Sequence, residues 1–119
     1  MMARCVSLAL LAAASAGCSG PGATPCRPIA AALQSGNPAD RAGGAIRASQ
    51  TNEQSAVPLL VELLEDPAAD VRLFAIQALK RLTGQTLGYH YYDPPSRRRQ
   101  AADRWRQWLQ ARAAGLRGG

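Results

Sequence analysis

Few side chains in this chain could carry chemistry, and their spacing narrows it further. Cys5, Cys18, Cys26 and the single histidine, His90, are scattered along the sequence with no metal-ligand spacing. A structural zinc site needs four closely spaced nitrogen or sulfur ligands, so no metal site is expected. His90 has no cysteine, carboxylate or second histidine at ligand spacing and reads as a loop or packing residue. Nucleophile elbows, phosphate-binding glycine loops and paired catalytic carboxylates are missing. Asp66 and Asp70 lie one helical turn apart beside a helix start, where capping and the helix dipole account for both. The expectation is therefore a non-enzyme with no catalytic residue and no cofactor.

Two groups remain: a thiol near the N-terminus and a set of guanidiniums near the C-terminus. From Arg97 onward the chain carries Arg97, Arg98, Arg99, Arg104, Arg106, Arg112 and Arg117 against one acid, Asp103. That segment accounts for the whole net charge of +6, and everything before it sums to zero. Such a cluster is either a solvated helix face or an anion-binding surface for lipid head groups, acidic protein or nucleic acid. The candidate anion-binding residues are Arg97, Arg98, Arg99, Arg104 and Arg106.

The thiol sits in an address-like context. Arg4 precedes an apolar stretch from Val6 to Ala14, which is too short to span a bilayer and has the layout of a secretory signal peptide. Ser15-Ala16-Gly17-Cys18 resembles the lipobox of bacterial lipoproteins, with Ala16 and Gly17 matching and Ser15 standing where leucine is preferred. The resemblance implies lipid attachment at Cys18, after removal of residues 1–17. Ser19, Gly20, Pro21, Gly22 and Thr24 then make a small-residue tether, residues 18–27. The alternative is ordinary cleavage after Ala14-Ser15-Ala16, giving a soluble secreted protein in which Cys18 and Cys26 could pair. An exported protein seldom meets nucleic acid, so nucleic acid is not the expected partner.

The elements that must position these groups are helical. Hydrophobic residues make up 47% of the chain but aromatics only 5%, so the core must be built from Leu, Val, Ile and Ala. The strongest pattern runs from Ser55 to Gly84. Val57, Leu60, Val61 and Leu64 form one apolar stripe, with Ser55 as expected N-cap and Pro58 in the first turn. Asp66-Pro67 breaks that helix. Asp66 is the expected N-cap of the next one, where Val71, Phe74, Ala75, Ala78, Leu79 and Leu82 fall on a single face. Lys80 and Arg81 suit its last turn, and Gly84 suits the residue after its end.

The run AVPLLVELLEDPAADVRLFAIQALKRL resembles a HEAT repeat, in particular the short HEAT-like type first noted in phycobilisome lyases. The resemblance rests on Ala56 to Leu60, the Asp66-Pro67 turn, the Val71-Arg72 pair and the alanines Ala75 and Ala78. It implies that Asp66, Pro67, Val71 and Arg72 knit successive repeats together and that the alanines allow close helix approach. It implies a binding or scaffold role and imports no lyase activity.

Residues Pro28 to Gln50 read as a weaker copy. Ile29, Ala32 and Leu33 face inward on a short helix, Ser35 to Pro38 form the turn, and Ala45-Ile46-Arg47-Ala48 matches Ala75-Ile76-Gln77-Ala78 at a separation of 30. Gly43 and Gly44 are expected to weaken its second helix by roughly 1 kcal/mol each relative to alanine.

After Gly84 the tyrosines and Pro94-Pro95 predict a loop, and Ser96 is the expected N-cap of a last helix from Arg97 to Ala113 or Ala114. Ala102, Trp105, Leu109 and Ala113 form its stripe, which should dock on the face of Phe74 to Leu82 and cap the stack. The whole reads as an all-α protein, a short α-solenoid of two HEAT-like hairpins over residues 28–96 plus a basic capping helix over 97–119. Its expected role is a membrane-tethered protein–protein interaction module of the cell envelope. Exposed candidates for contact are Glu62, Glu65, Arg72 and Gln77.

Overall fold

The computed structural model describes residues 27–118, with side chains through Gly115. The expected signal segment 1–17, Cys18, the tether before Arg27, and all three cysteines lie outside the described residues. Five α-helices make up the fold: α1 (Ile29–Leu33), α2 (Pro38–Gln50), α3 (Val57–Glu62), α4 (Ala69–Thr83) and α5 (Pro95–Gly118). Helix α3 is extended at both ends by 3₁₀ turns, Gln54–Ala56 and Leu63–Glu65. The all-helical short solenoid expected from the sequence is what the chain forms.

Helices α1 and α2 form one hairpin and α3 and α4 the next. Hairpin stacks on hairpin, with α1 beside α3 and α2 beside α4. One core runs through both, from Leu33, Ala45 and Ala48 through Leu60, Leu64, Val71, Ala75 and Leu79 to Ala102 and Trp105. Leucine, valine and alanine therefore do most of the packing, as the low aromatic content required.

Local chemistry sets the helix ends, with several differences from expectation. Asp66 adopts the extended conformation (φ −63°, ψ 142°) that the following proline demands. Its carboxylate accepts the N–H of Ala68, yet α4 starts only at Ala69, so Asp66 shapes the turn before the helix and does not cap it. Ser55 does not cap α3 either. It lies inside the 3₁₀ turn, and its hydroxyl donates to Glu53 at 2.6 Å. Helix α5 begins at Pro95, whose missing N–H suits the first turn, so Ser96 is already helical. The helix also continues past Ala114, through Gly118. Gly84 takes the left-handed conformation, φ 79°, and its N–H closes α4 on the Lys80 carbonyl at 2.7 Å.

The two glycines of α2 behave differently from one another. A Cβ on Gly43 would meet nothing within 4 Å. A Cβ on Gly44 would sit 3.0 Å from Ala32 Cβ and 3.1 Å from the Leu33 backbone nitrogen. Gly44 is thus the price of bringing α1 against α2, and only Gly43 is a plain loss of helix stability.

The cap docks elsewhere than expected. Helix α5 lies against α3 and Leu63–Glu65, not on the Phe74–Leu82 face of α4. Gln54, at the start of the α3 segment, meets Arg112, whereas Glu65, at its end, meets Arg99 and Arg106, so α5 runs antiparallel to α3. The reason is the loop after Gly84. It folds back toward the Asp66-Pro67 turn, with Tyr89 donating to the Leu64 carbonyl and Tyr91 accepting from Arg72, and so delivers α5 to the α1–α3 layer. The stripe on α5 is accordingly Ala101, Ala102 and Trp105, with Trp108 and Leu109 half-buried; Ala113 is exposed.

Candidate functional site

The turns between paired helices hold the buried charged groups of the described residues. Asp66 and Arg72 are the two buried charged residues among those described. Arg72 Nη1 donates to the carbonyls of Asp66 (2.7 Å) and Pro67 (3.1 Å), and its Nε donates to the Tyr91 carbonyl at 3.1 Å. Arg41 does the same one repeat earlier. Its Nη1 donates to the Ser35 carbonyl at 2.8 Å, while Nε and Nη2 grip the Asp66 carboxylate at 2.7 and 3.1 Å. Each arginine braces the turn of its own hairpin with one nitrogen and reaches the next unit with another.

This pairing fixes the internal period. Arg41 corresponds to Arg72, Ser35 to Asp66, and the helix starts Pro38 and Ala69 to each other, each pair 31 residues apart. The side chains agree: Ser35 Oγ accepts the Asn37 N–H as Asp66 Oδ1 accepts that of Ala68. The alanine match had placed the repeat at 30. Short alanine runs are too degenerate to fix a register, and the arginine geometry corrects it by one residue.

Of the sequence-chosen turn residues, Val71 is fully buried, Pro67 is exposed, and Asp66 and Arg72 are buried as described. Arg72 is therefore not part of the outer surface, contrary to its choice as a contact residue. Glu65 is engaged by Arg106 and, at 3.9 Å, by Arg99. Glu62 and Gln77 are exposed.

The five arginines chosen for anion binding are spread around the cap. Arg98 donates to the Asp93 carbonyl at 2.5 Å and Arg104 to the Leu87 carbonyl at 2.8 Å. Arg106 bridges Glu65 and Asp103, and the hydrogen bond it donates to Glu65 raises its pKa further. Arg99 is exposed near Glu65, and Arg97 is exposed with no partner among the described residues. Most of the cluster thus fastens loop and cap to the body. Backbone carbonyls cannot be read off as partners from a charge count, so this role is not legible in the charge pattern.

The loop itself is anchored from inside. Tyr89 is buried, its hydroxyl donates to the Leu64 carbonyl, and burial pushes its pKa up to about 12. Trp105 Nε1 donates to the Thr86 carbonyl at 3.0 Å. Tyr89 was readable as aromatic bulk from sequence, but its role as the loop's anchor was not. His90 is exposed, its ring 5.3 Å from that of Tyr92.

No group of histidine, cysteine, aspartate or glutamate among the described residues could hold a metal ion. No helix of the described residues is long and apolar enough to cross a membrane. Stacked two-helix units, tied through arginines at their turns and closed by a helix, define a helical-repeat protein. HEAT repeats, as a family, match residues 27–104, about two thirds of the chain, and the protein belongs to that family. Such repeats commonly serve as protein-interaction scaffolds, and the family is generally non-catalytic. Neither a curated protein nor a solved structure matches the chain.

Proposed function

We propose that the protein is a small interaction module of the bacterial cell envelope, tethered to a membrane through an acylated Cys18. The observation that carries the binding part is the fold: a helical-repeat stack whose buried charges are used for bracing turns. Support for the tether comes from the sequence before the fold, Ser15-Ala16-Gly17-Cys18 and the small-residue stretch up to the first helix. Exposed side chains of the two hairpins, with Glu62 and Gln77 among them, supply the partner surface.

The test is the intact mass of the mature protein from fractionated cells. A species that begins at Cys18, carries acyl mass and sediments with membranes is the expected result. An unacylated species beginning near Gly17 in a soluble fraction overturns the tether and leaves a freely diffusing binding module.

A further inference from the structure

The two layers of the stack are covered unequally. Helix α5 packs on the α1–α3 layer, and among the described residues no helix lies over the outward side of α2 and α4. On α4 that side is a single arc at helical spacing. Asp70, Gln77, Lys80 and Arg81 are exposed, Leu73 and Phe74 are half-buried, and every other residue from Val71 to Leu82 is buried. On α2, Ile46 holds the place of Gln77 one repeat earlier and is half-buried. Ile46 and Leu73 stand outside the core cluster, although Phe74 packs against it. The charges on the arc lack partners of opposite sign. Asp70 accepts the Val71 N–H at 2.9 Å, and neither Asp70 nor Lys80 forms an ion pair among the described residues.

We propose that this face is where two copies of the chain meet, α4 against α4 and α2 against α2, antiparallel across a twofold axis perpendicular to the helices. This rests on the binding reading of the two hairpins but not on the membrane tether. The charge pattern selects the axis. Asp70 and Lys80 each lie five residues from Ala75. With the axis level with Ala75, Asp70 of each copy meets Lys80 of the other, so one contact is made twice. Leu73 of the two copies then lie four residues, about 6 Å, apart along the helices. Ile46 of the two copies are equally close, because Gly44 stands on the axis one repeat earlier. The other possible twofold, parallel to the helices, would lay α4 on the partner's α2. It would set Asp70 against Ala39 and Lys80 against Ser49, with no charge paired. Helices of 13 and 15 residues side by side give a footprint of about 20 Å by 20 Å. That is smaller than the roughly 800 Å² per partner of a standard stable interface, so the dimer is a weak one.

The test is sedimentation equilibrium of the full chain at concentrations up to about 1 mM. A monomer–dimer equilibrium with a dissociation constant of about 100 µM is expected, weakening as salt rises. Leu73→Asp should weaken it roughly tenfold or more, because each substitution counts twice in a symmetric pair. Asp70→Lys and Lys80→Glu should each weaken it about tenfold by setting like charges face to face, with unchanged far-ultraviolet dichroism spectra. Mixed in equal amounts, these two variants should associate again, since each supplies the charge that the other has lost. The proposal is overturned if the wild-type chain is monomeric at 1 mM, or if Leu73→Asp associates equally well, which would place the contact on another surface. It is equally overturned if the mixture associates no better than either variant alone, which would exclude the antiparallel α4 pair. None of these results changes the mass of the mature protein, so failure here is separable from failure of the tether.

Discussion

The two junctions of this stack solve one packing problem with different materials. Where the first hairpin meets the second, the surfaces are small: Ala45 and Ala48 are buried on α2, and the polar link is an arginine on a carboxylate, Arg41 on Asp66. Where the second hairpin meets the cap, the surfaces are large: Trp105 and Tyr89 fill the space, and apart from the half-exposed pairing of Arg106 with Glu65 the polar links run to backbone carbonyls of Leu64, Thr86, Leu87 and Tyr91. Arg41 and Arg72 hold the same repeat position, so the difference lies in what the next unit offers them. A true repeat presents a turn carboxylate; a loop presents only its main chain. The stack ends where the side-chain acceptor gives way to a carbonyl.

The largest test of that contrast is Trp105→Ala. Trp105 is fully buried and joins α5 to the common core. Its removal should cost about 3–5 kcal/mol, the usual range for a buried aromatic truncation. That is a large part of the stability of a domain this small, at roughly 0.05–0.15 kcal/mol per residue. Urea unfolding followed by dichroism should show the loss. An unchanged midpoint would mean that the cap is not part of the cooperative unit.

At the other junction the matching test is Asp66→Ala. It strands Arg41, whose side chain is 14% exposed, and removes the acceptor for the Ala68 N–H. A loss of roughly 2–4 kcal/mol is expected, toward the lower part of the range for breaking a buried pair, because Arg41 keeps its bond to the Ser35 carbonyl. Adding Arg41→Met should restore part of it, since the cost lies in the uncompensated charge. If the double variant is as unstable as the sum of the singles, the pair is not coupled as described.

A third test uses opposite signs within one helix. Gly44→Ala places a methyl 3.0–3.1 Å from Ala32 and the Leu33 backbone, which cannot yield as a flexible side chain would. The strain, about 1–3 kcal/mol, should outweigh the helix gain. Gly43→Ala meets open space and should stabilise by up to about 1 kcal/mol. Equal effects at both positions would remove the close-approach argument for α1 against α2, the packing that lets the first hairpin present its small residues to the second.

These cases show what the sequence carries and what it hides. The Asp66-Pro67 break and the Gly84 stop were legible because they act locally, through backbone conformation at one or two residues. The helix faces were legible because periodicity states which side is buried. The docking site of α5 was not, because amphipathicity says that a face is covered without saying by what; the path of the Gln85–Pro94 loop decides it. The arginines of the cap were visible as charge, yet charge does not distinguish a solvent-facing cation from one that ties down a carbonyl. The repeat period slipped by one because alanines match alanines in several registers, whereas the paired arginines match in only one.

The smallest effect at neutral pH, and the most specific to the second junction, belongs to Tyr89. Tyr89→Phe leaves the Leu64 carbonyl without its donor and should cost about 1 kcal/mol near pH 7. The pH dependence carries the sharper signal. Burial holds the phenol protonated, with a pKa of about 12 against an ordinary value of 10.0. A group that binds its proton more tightly when folded contributes stability that is complete below the unfolded value and lost as pH rises through the folded one. Wild-type stability should therefore fall between about pH 10 and 12 by an amount that Tyr89→Phe does not show, as the gap between the two midpoints narrows. Folded wild type should also display a phenolate absorbance step near pH 12 that the variant lacks. If that step is instead found near the ordinary phenol value in the folded protein, Tyr89 is solvated. The cap would then be held by Trp105 and the arginines alone, and the two junctions would differ less than their side chains suggest.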